Sequence, residues 1–365
     1  MLFENLTANF GYNLTNKEKI MGKLPESRKK DIIPSLAGHL LHQGKVRNTY
    51  CHPFDGSLLI QQATNGISAF DFVFDAEIPR KGEVLTALTD FARRTYLDGI
   101  PHHFVESEKY AGRNAILDLE KLFPDIPLGM TFVVKKAAVL PYELIFRHHI
   151  GGSVWKEYSA QGTAGGNTLP EGLKKWQALE RPIFTPSTKE ESGHDMNISA
   201  GRFFEETGVE GAPASSLVFE AYARAYEYCR SRGILILDTK GEVGRPLNKS
   251  GDWMIIDEIL TPDSSRYVLV DDLERALAAG KEPDFYDKEV FRIWAKSVET
   301  PFMDDDGKKI VGVNKLDPCN DEHVAFVHGL QVPRDVTMET AERYLCLPKF
   351  ITGIPLYDYQ GENLF

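Results

Sequence analysis

Four charged residues in the second half of the chain have the types and the spacing of a metal and phosphate site. Asp238, Lys240 and Glu242 follow the apolar run Ile-Leu-Ile-Leu, and Asp257 follows the run Met-Ile-Ile. Alternate residues of an extended chain point to one face, so the first three are expected to share a face. The link between the runs is polar and rich in turn formers, which predicts a hairpin that brings Asp257 opposite Glu242. Facing carboxylates suit a hard divalent cation, and a nearby lysine suits phosphate. The alternative is ordinary solvated surface charge.

A basic turn lies between two predicted strands nearer the N-terminus. It consists of Gly44, Lys45, Val46 and Arg47, and its two basic residues share a face by the two-residue period of a strand. Such a turn suits a polyphosphate, although an exposed basic hairpin edge has the same composition. It is not a Walker A loop, because the glycine spacing differs and no Lys-Ser/Thr pair opens a helix.

Further clusters carry groups that suit anionic ligands. Arg147 precedes a glycine pair and Ser153, which together offer a guanidinium, N–H donors and a hydroxyl to a phosphomonoester or carboxylate; a helix start after a glycine turn is the alternative. His194 and Asp195, which with Lys189 close a long loop, form either a ligand-positioning pair or a capping turn. Hydroxyl, carboxylate and basic groups also flank a short apolar segment, at Ser68, Asp71 and Lys81.

Composition excludes several classes of protein. The 365 residues are 42% hydrophobic and 26% charged, which is typical of a globular protein. No apolar run is long enough to span a bilayer and no basic-then-apolar N-terminus suggests a secretory signal, so a cytoplasmic location is expected. The net charge of −11 opposes binding to nucleic acid or an anionic membrane. Four scattered cysteines form no Cys-x-x-Cys pair and are expected to be reduced and structural: Cys51, Cys229, Cys319 and Cys346.

The pattern of short elements predicts an α+β protein. Residues 1–37 are expected to form an N-terminal extension, and 38–137 an α+β lobe in which one helix packs on an antiparallel sheet. A second α+β lobe is predicted over 138–272, with a long irregular loop at 159–189 and an amphipathic helix before the hairpin. Residues 273–365 are expected to be a C-terminal helical region with an insertion. The strand-like runs of the first lobe are 39–42, 57–62, 72–74 and 131–135, and its helical pattern is 85–96.

Taken in order, these motifs resemble the signatures of the phosphoribosylaminoimidazole-succinocarboxamide synthase (SAICAR synthase) family. The resemblance covers roughly residues 38 to 300. The matching segments are Gly44-Lys-Val-Arg-x-x-Tyr50, Ile67-Ser-Ala-Phe-Asp71, Ile78-Pro-x-Lys-Gly82, Arg147-x-x-x-x-Gly152-Ser-x-Trp-Lys-Glu-Tyr158, Leu169-Pro-Glu-Gly-Leu173, Phe184-Thr-Pro-Ser-Thr-Lys189, His194-Asp195, Asp238-Thr-Lys-x-Glu-x-Gly244 and Asp257-Glu-x-x-Thr-Pro-Asp-Ser-Ser-Arg266.

The resemblance implies a two-lobed α+β fold whose ATP lobe is similar to that of protein kinases, followed by C-terminal helices. Members of the family use ATP and Mg²⁺ to join the carboxylate of carboxyaminoimidazole ribonucleotide to the amine of L-aspartate. The products are SAICAR, ADP and phosphate. The expected partners are therefore these small molecules, with no nucleic acid and no membrane, and the sequence does not indicate an oligomeric state.

The resemblance also implies a role for each candidate residue. ATP is assigned to Gly44, Lys45, Val46, Arg47, Lys81, Lys135 and Glu143, with the connection from Lys135 to Tyr142 around the adenine. Magnesium is assigned to Glu242 and Asp257, and catalysis to Lys240 at the transferring phosphate, with Asp238 and Lys189 in support. The substrates are assigned to Ser68, Asp71, Arg147, Ser153, His194, Asp195, Ser265 and Arg266, the last on the phosphate of the ribonucleotide.

The chain departs from the usual family pattern at several positions. Asn65-Gly66 stands where Asp-Arg is usual, Gly241 and Val243 replace two aromatic residues, and His148-His149 stands where Tyr-Leu is frequent. The segment from 301 to 335 is longer than usual. The alternatives are a paralogue that uses another carboxylate or amine and a catalytically silent nucleotide-binding partner. A small-molecule kinase should offer a base near a hydroxyl acceptor, and none is identifiable.

Overall fold

The strands fall into two main sheets and three small hairpins. The computed structural model describes residues 24–189, 196–247 and 251–365. In chain order, the strands of the first half are β1 (Leu40–Gln43), β2 (Arg47–Cys51), β3 (Leu58–Ala63), β4 (Gly66–Ala69), β5 (Phe72–Glu77) and β6 (Thr131–Lys135). The sheet order is β1-β2-β3-β6, all antiparallel, and β4 pairs only with β5. The predicted antiparallel sheet is confirmed for the runs at 39–42, 57–62 and 131–135, whereas the run at 72–74 lies in the separate hairpin of β4 and β5.

The second sheet is built around one long strand. Its members and the nearby short strands are β7 (Ala137–Val139), β8 (Tyr142–His149), β9 (Thr163–Ala164), β10 (Asn167–Thr168), β11 (Ala178–Phe184), β12 (Ser187–Thr188), β13 (Ile234–Pro246), β14 (Met254–Ile256) and β15 (Ser265–Leu269). β13 pairs with β15 and β8 over its first part and with β14 and β7 over its last part. The loop predicted over 159–189 instead contains β9 to β12. β9 and β10 form a local hairpin, whereas β11 and β12 pair with β8, which satisfies backbone groups in a segment without a periodic sequence pattern.

The α-helices are distributed along the described chain from residue 81 onward. They are α1 (Lys81–Thr95), α2 (Ser153–Gln161), α3 (Ala200–Thr207), α4 (Gly211–Arg230), α5 (Val270–Ala279), α6 (Glu289–Ser297), α7 (Asp321–His328), α8 (Arg334–Thr352) and α9 (Leu356–Asn363). A hairpin of β16 (Glu299–Met303) and β17 (Lys309–Val311) follows α6. Short 3-10 helices are Glu26–Asp31, Pro34–His39, Ala115–Asp118, Leu128–Met130, Gly208–Glu210 and Val313–Lys315. None of the helices in these ranges is long and apolar enough to cross a membrane.

The largest hydrophobic core joins all the main elements. In α4 the buried residues Ala214, Val218, Ala221 and Ala225 recur at helical spacing and pack behind the second sheet. The same core includes residues of α1, the first sheet and α8. The predicted boundaries at 37, 137 and 272 therefore do not separate independent cores, and the division into domains stays a prediction.

The first described segment and the C-terminal region both pack against the first lobe. Phe74 of β5 lies edge-to-face on Phe291 of α6, with ring centroids 4.8 Å apart, in a second core cluster formed largely by the C-terminal region. Near the N-terminus, Ile33 and Leu36 are buried against Tyr50 of β2. The Tyr50 hydroxyl accepts the backbone N–H of Ile33 at 3.0 Å. These contacts join residues 33–36 and the C-terminal region to the first lobe.

Candidate functional site

A cleft brings together many of the predicted site residues. The turn between β1 and β2, the start of β8, the middle of β13 and the segment after β14 form its walls. Lysines and carboxylates alternate around it, so the cleft suits a ligand that carries both a cation and an anionic group. Its lining residues are Lys45, Val46, Ser68, Glu143, Lys240, Gly241, Glu242, Asp257, Glu258, Asp263, Ser264 and Lys288.

The alternation predicted for β13 places Lys240 and Glu242 in the cleft. Gly241 and Val243 point the other way, toward α4. Val243 is fully buried, and a Cβ at position 241 would lie 2.9 Å from a methyl group of Val218. A larger side chain at 241 would therefore have to displace α4. Gly241 and Val243, which depart from the family pattern, therefore affect how α4 packs and do not change which side chains line the cleft.

Lys240 is held by a carboxylate from the neighbouring strand. Its Nζ lies 2.6 Å from Oε1 of Glu143, which is 9% exposed at the start of β8. Burial opposes the charge of Lys240, but Glu143 outweighs it and raises the lysine pKa. Burial likewise opposes the charge of Glu143, and Lys240 outweighs it, so the pKa of Glu143 lies below its ordinary value. Lys240 is therefore a positioned ammonium group, which suits a phosphate oxygen.

Glu242 and Asp257 are neighbours with an offset of one residue. Glu242 pairs with Ile256 in the ladder, so Asp257 lies just beyond the end of β14 and not directly opposite. The backbone of Asp257 has a φ of +57°, which re-aims its side chain as the strand ends. Glu242 forms an ion pair with Lys189, and Asp257 forms one with Arg47. The predicted position of Asp257 opposite Glu242 is therefore wrong by one residue, although both carboxylates line one cleft and each has its own cation.

These two carboxylates fit a magnesium ion that arrives with a nucleotide. In the parts of the chain that the structure describes, no three His, Cys, Asp or Glu side chains form a ready metal site. Magnesium commonly takes only one or two protein carboxylates and completes its shell with phosphate oxygens and water. Glu242 and Asp257 offer that donor set. In this structure their negative charges are balanced by the ion pairs with Lys189 and Arg47.

A row of three charged side chains crosses the second sheet beside the cleft. Asp238 of β13 is paired in register with Arg147 of β8 and with Arg266 of β15, and both guanidinium groups contact its Oδ2. The Ser153 hydroxyl lies 3.5 Å from Arg147, and Arg266 lies against the backbone of Gly152. The two guanidiniums of the row share one carboxylate and suit an anionic group, although the carboxylates of Asp287 and Glu289 also act on Arg266.

Asp238 holds these arginines and does not line the cleft. Its ion pairs support a positioning role, and a direct contact with metal or phosphate stays a prediction. Ser265 similarly bonds inward, to the hydroxyl of Thr239 at 2.7 Å. Lys81 is fully buried, and its Nζ donates to Asp263 at 2.7 Å, which separates it from the cleft. Contact between Lys81 and a nucleotide therefore has no support in this arrangement.

The remaining predicted residues lie at the edges of the site. Gly44 closes the basic turn through its N–H to the Arg47 carbonyl at 2.7 Å, and Lys45 pairs with Asp71 at 2.9 Å. Arg47 does not share the cleft with Lys45, contrary to the prediction, but lines a smaller pocket between the first sheet and α1, where it meets Asp257 and Glu258. Lys135 is exposed, and neither pocket is lined by 135–142. His194 and Asp195 lie outside the described residues.

Two charged residues before α6 were missed. Lys288 lines the cleft, and burial lowers its pKa to about 8. Its neighbour Asp287 is 1% exposed and has one carboxylate oxygen without a hydrogen-bond partner. In sequence, Asp287-Lys-Glu-Val is an ordinary start of a surface helix. The only available signal is its position inside a helical pattern, which does not reveal that the chain folds back to the cleft.

We expect Asp287→Asn to stabilise the protein at alkaline pH. Burial raises the pKa of Asp287 to about 7, whereas an unfolded aspartate ionises near 3.8. Stability of the natural protein therefore falls as pH rises from about 4 to 7, and the loss is complete above 7. Asparagine keeps the bond from the Glu289 N–H and carries no charge. Thermal unfolding at pH 8 should occur up to about 5 °C higher in the variant, with no difference at pH 4.

Asp306→Asn is the control for this measurement, since Asp306 lies in the exposed turn between β16 and β17. It should unfold with the natural protein at both pH values. A lower unfolding temperature for Asp287→Asn at pH 8 would mean that a charged Asp287 is needed, for example by Arg266 and Arg292.

Comparison with known proteins identifies the family. The SAICAR synthetase family model matches residues 40–308. Two curated relatives, both phosphoribosylaminoimidazole-succinocarboxamide synthases, come from Maridesulfovibrio salexigens and Schizosaccharomyces pombe. The first relative is 35% identical, and the match covers 84% of this chain and 91% of the relative's length. The second is 34% identical, and the match covers 85% of this chain and 93% of the relative's length. The solved SAICAR synthase of Saccharomyces cerevisiae is 31% identical, with a TM-score of 0.66 over 88% of this chain and 97% of its own. The chain therefore belongs to the SAICAR synthetase family.

Proposed function

We propose that this protein is an ATP-dependent carbon–nitrogen ligase of de novo purine biosynthesis. It joins carboxyaminoimidazole ribonucleotide and L-aspartate, giving SAICAR, ADP and phosphate. The observation that carries the proposal is one cleft in which Lys240 stands beside Glu242 and Asp257, next to the arginine pair. The similar yeast structure is described as a complex with SAICAR. That product contains a ribonucleotide phosphate and aspartate carboxylates, which are the anionic groups this site suits.

The chemistry requires an activated carboxylate. A free carboxylate is a poor acyl donor because its leaving group would be oxide. In the first step a carboxylate oxygen of the ribonucleotide attacks the γ-phosphorus of ATP, and ADP leaves with the electron pair of the broken P–O bond. In the second step the aspartate amine attacks the acyl carbon, phosphate leaves, and the nitrogen loses a proton. No nucleophilic side chain of the protein takes part.

The cleft supplies electrostatic stabilisation for the phosphoryl transfer. Lys240 faces the transferring phosphate, with its charge secured by Glu143. Glu242 and Asp257 hold magnesium, which neutralises phosphate charge when it is bound. Lys45 and Val46 line the same cleft from the basic turn, where they cover the phosphates. Lys189, which pairs with Glu242, would be available to a substrate carboxylate if a cation took its place.

The ribonucleotide is assigned to the row beside this cleft. Arg147, Ser153 and Arg266 bind its anionic groups, with Arg266 on the phosphate, while Asp238 holds and orients the two guanidiniums. Ser68 lines the cleft and Asp71 holds Lys45. His194 and Asp195 are proposed to complete the substrate pocket.

The alternatives are not favoured. A silent nucleotide-binding partner has no need of Lys240, Glu242 and Asp257 in one cleft together with paired arginines. A paralogue with a different substrate was suggested by Asn65-Gly66, where the usual charges are absent; a cation still fills the space beside Gly66, because the guanidinium of Arg28 lies there. The cytoplasm is the proposed location, consistent with four unpaired cysteines.

A direct assay tests the proposal. Purified protein is incubated with ATP, Mg²⁺ and carboxyaminoimidazole ribonucleotide, with and without L-aspartate, and ADP and SAICAR are measured. We expect SAICAR that depends on aspartate, with one ADP for each product. L-Glutamate and L-alanine replace aspartate as matched controls and should give no adduct. ADP release that responds only to another amine would favour the paralogue, and ATP binding without turnover would favour the silent partner.

A further inference from the structure

The guanidinium of Arg28 is buried beneath the basic turn. Arg28 lies in the first 3-10 helix, outside the family match, and is 1% exposed. Its Nη1 donates to the Lys45 carbonyl at 2.7 Å, and its Nη2 donates to the Thr64 hydroxyl at 2.8 Å. Nε forms an ion pair with Asp31 at 2.6 Å. Arginine is rarely buried without such partners, so this is a built interaction and not a surface contact.

The guanidinium is linked to two carbonyls of the turn. The Lys45 carbonyl is bound directly, and the Thr64 hydroxyl that accepts from Arg28 donates to the Val46 carbonyl at 3.0 Å, which also accepts the backbone N–H of Thr64. The side chains of Lys45 and Val46 both line the cleft. Arg28 therefore fixes the backbone at the two turn residues that face the proposed phosphate site.

The guanidinium also fills the space of a side chain at position 66. A Cβ on Gly66 would lie 1.8 Å from Nη1 of Arg28 and 2.6 Å from its Cζ. No side chain fits there while Arg28 is in place. The glycine at 66, where the resemblance leads one to expect arginine, is thus matched by an arginine that reaches the same space from the N-terminal segment.

The segment that carries Arg28 is tied to both neighbouring elements. Gln43 of β1 donates to the Arg28 carbonyl at 2.7 Å, and Asn48 of β2 donates to the Asp31 carbonyl at 3.0 Å. Lys30 forms an ion pair with Glu77 of β5 at 2.6 Å. The backbone of Arg28 is therefore held independently of its guanidinium, so the side chain can be changed without releasing the segment.

We propose that Arg28 is a positioning residue for nucleotide binding. It holds the turn at 44–47 in the shape that covers the phosphates, and its guanidinium replaces one that would otherwise come from residue 66. This inference rests on the proposed function, because it takes the ligand of the cleft to be ATP.

Steady-state kinetics of Arg28 and Gly66 variants test the inference. Arg28→Lys keeps a buried cation near Asp31 but cannot hold the Lys45 carbonyl and the Thr64 hydroxyl together. We expect the KM for ATP to rise about tenfold in Arg28→Lys and more in Arg28→Ala. The KM for L-aspartate should change less than twofold. Adding Gly66→Arg to Arg28→Ala should recover most of the loss, whereas Gly66→Arg alone should be harmful because both side chains compete for one space.

Lys30→Ala is the matched control, since it removes a neighbouring cation of the same segment and should leave the KM for ATP within twofold. Calorimetric titration with Mg·ADP separates the possible failures. If the natural protein binds no Mg·ADP, the proposed function fails and the inference fails with it. If it binds, and Arg28→Lys folds and keeps its KM for ATP within twofold, only the inference is overturned. A double variant no better than Arg28→Ala would also contradict it.

Discussion

Glu242→Gln is expected to lower turnover by about 100- to 1,000-fold at a fixed millimolar magnesium concentration. Glutamine keeps the shape of Glu242 but removes the negative charge and one of its metal-binding oxygens. Asp257 alone then offers a carboxylate to the cation from this pair, and Lys189 loses the partner that restrains it. Initial rates measured against MgCl₂ at saturating substrates should show half-saturation at a much higher magnesium concentration, since the cation is bound more weakly.

Glu299→Gln provides the matched control for this substitution. Glu299 forms an exposed ion pair with Lys309 in the hairpin of β16 and β17, where the same chemical change should leave both turnover and magnesium dependence unaltered. Near-normal activity of Glu242→Gln at low magnesium would remove Glu242 from the metal site. A uniform loss at every magnesium concentration would instead indicate a role in holding Lys189.

The local geometry of this site was predictable because strand alternation is a local rule. It correctly put Lys240 and Glu242 on one face, since β13 is extended over its whole length. The exact partner of Glu242 was not predictable. The link between β13 and β14 does not fix the register, and the positive φ at Asp257 depends on the surrounding structure. An error of one residue in a hairpin register moves the predicted neighbour, although both carboxylates still reach the same cleft.

Contacts between distant parts of the chain were not predictable. Glu143 was assigned to the nucleotide by resemblance, and nothing in its spacing indicated that it pairs with Lys240, 97 positions later. Lys81 lies in a polar segment, yet the fold buries it fully on Asp263. Arg28 lies in a segment that resembles a solvated helix face. The position of each of these side chains depends on a partner in another element. A single sequence does not show which elements contact one another.

The second large effect is expected for Lys240→Met. Methionine keeps most of the side-chain length without the ammonium group, so the transferring phosphate loses its positioned cation. We expect turnover to fall about 1,000-fold, with a smaller change in the KM for ATP, because a charge that stabilises the transition state affects kcat first. Stopped assays of SAICAR formation and calorimetric titration with Mg·ADP measure the two effects separately. Lys309→Met, in the exposed hairpin, is the control.

Loss of Lys240 should also make stability depend on pH in a defined way. In the natural protein, the charge of Lys240 outweighs the effect of burial and lowers the pKa of Glu143. The ion pair therefore stabilises the fold fully at pH values above about 4.5, the pKa of an unfolded glutamate, and this stabilisation is lost as the pH falls below it. Without Lys240, burial is no longer offset and Glu143 resists ionisation. The difference in unfolding temperature between Lys240→Met and the natural protein should therefore grow from pH 4 to pH 7.

Adding Glu143→Gln to Lys240→Met separates catalysis from folding. The double variant has no carboxylate to bury, so the growth of the stability difference between pH 4 and pH 7 should disappear. Its turnover should stay as low as that of Lys240→Met, since neither change restores a cation at the phosphate. Recovery of turnover together with stability would contradict a catalytic role for Lys240, because the loss in the single variant would then come only from the unpaired Glu143. If stability recovers and turnover does not, Glu143 serves to hold the lysine and the lysine serves the reaction.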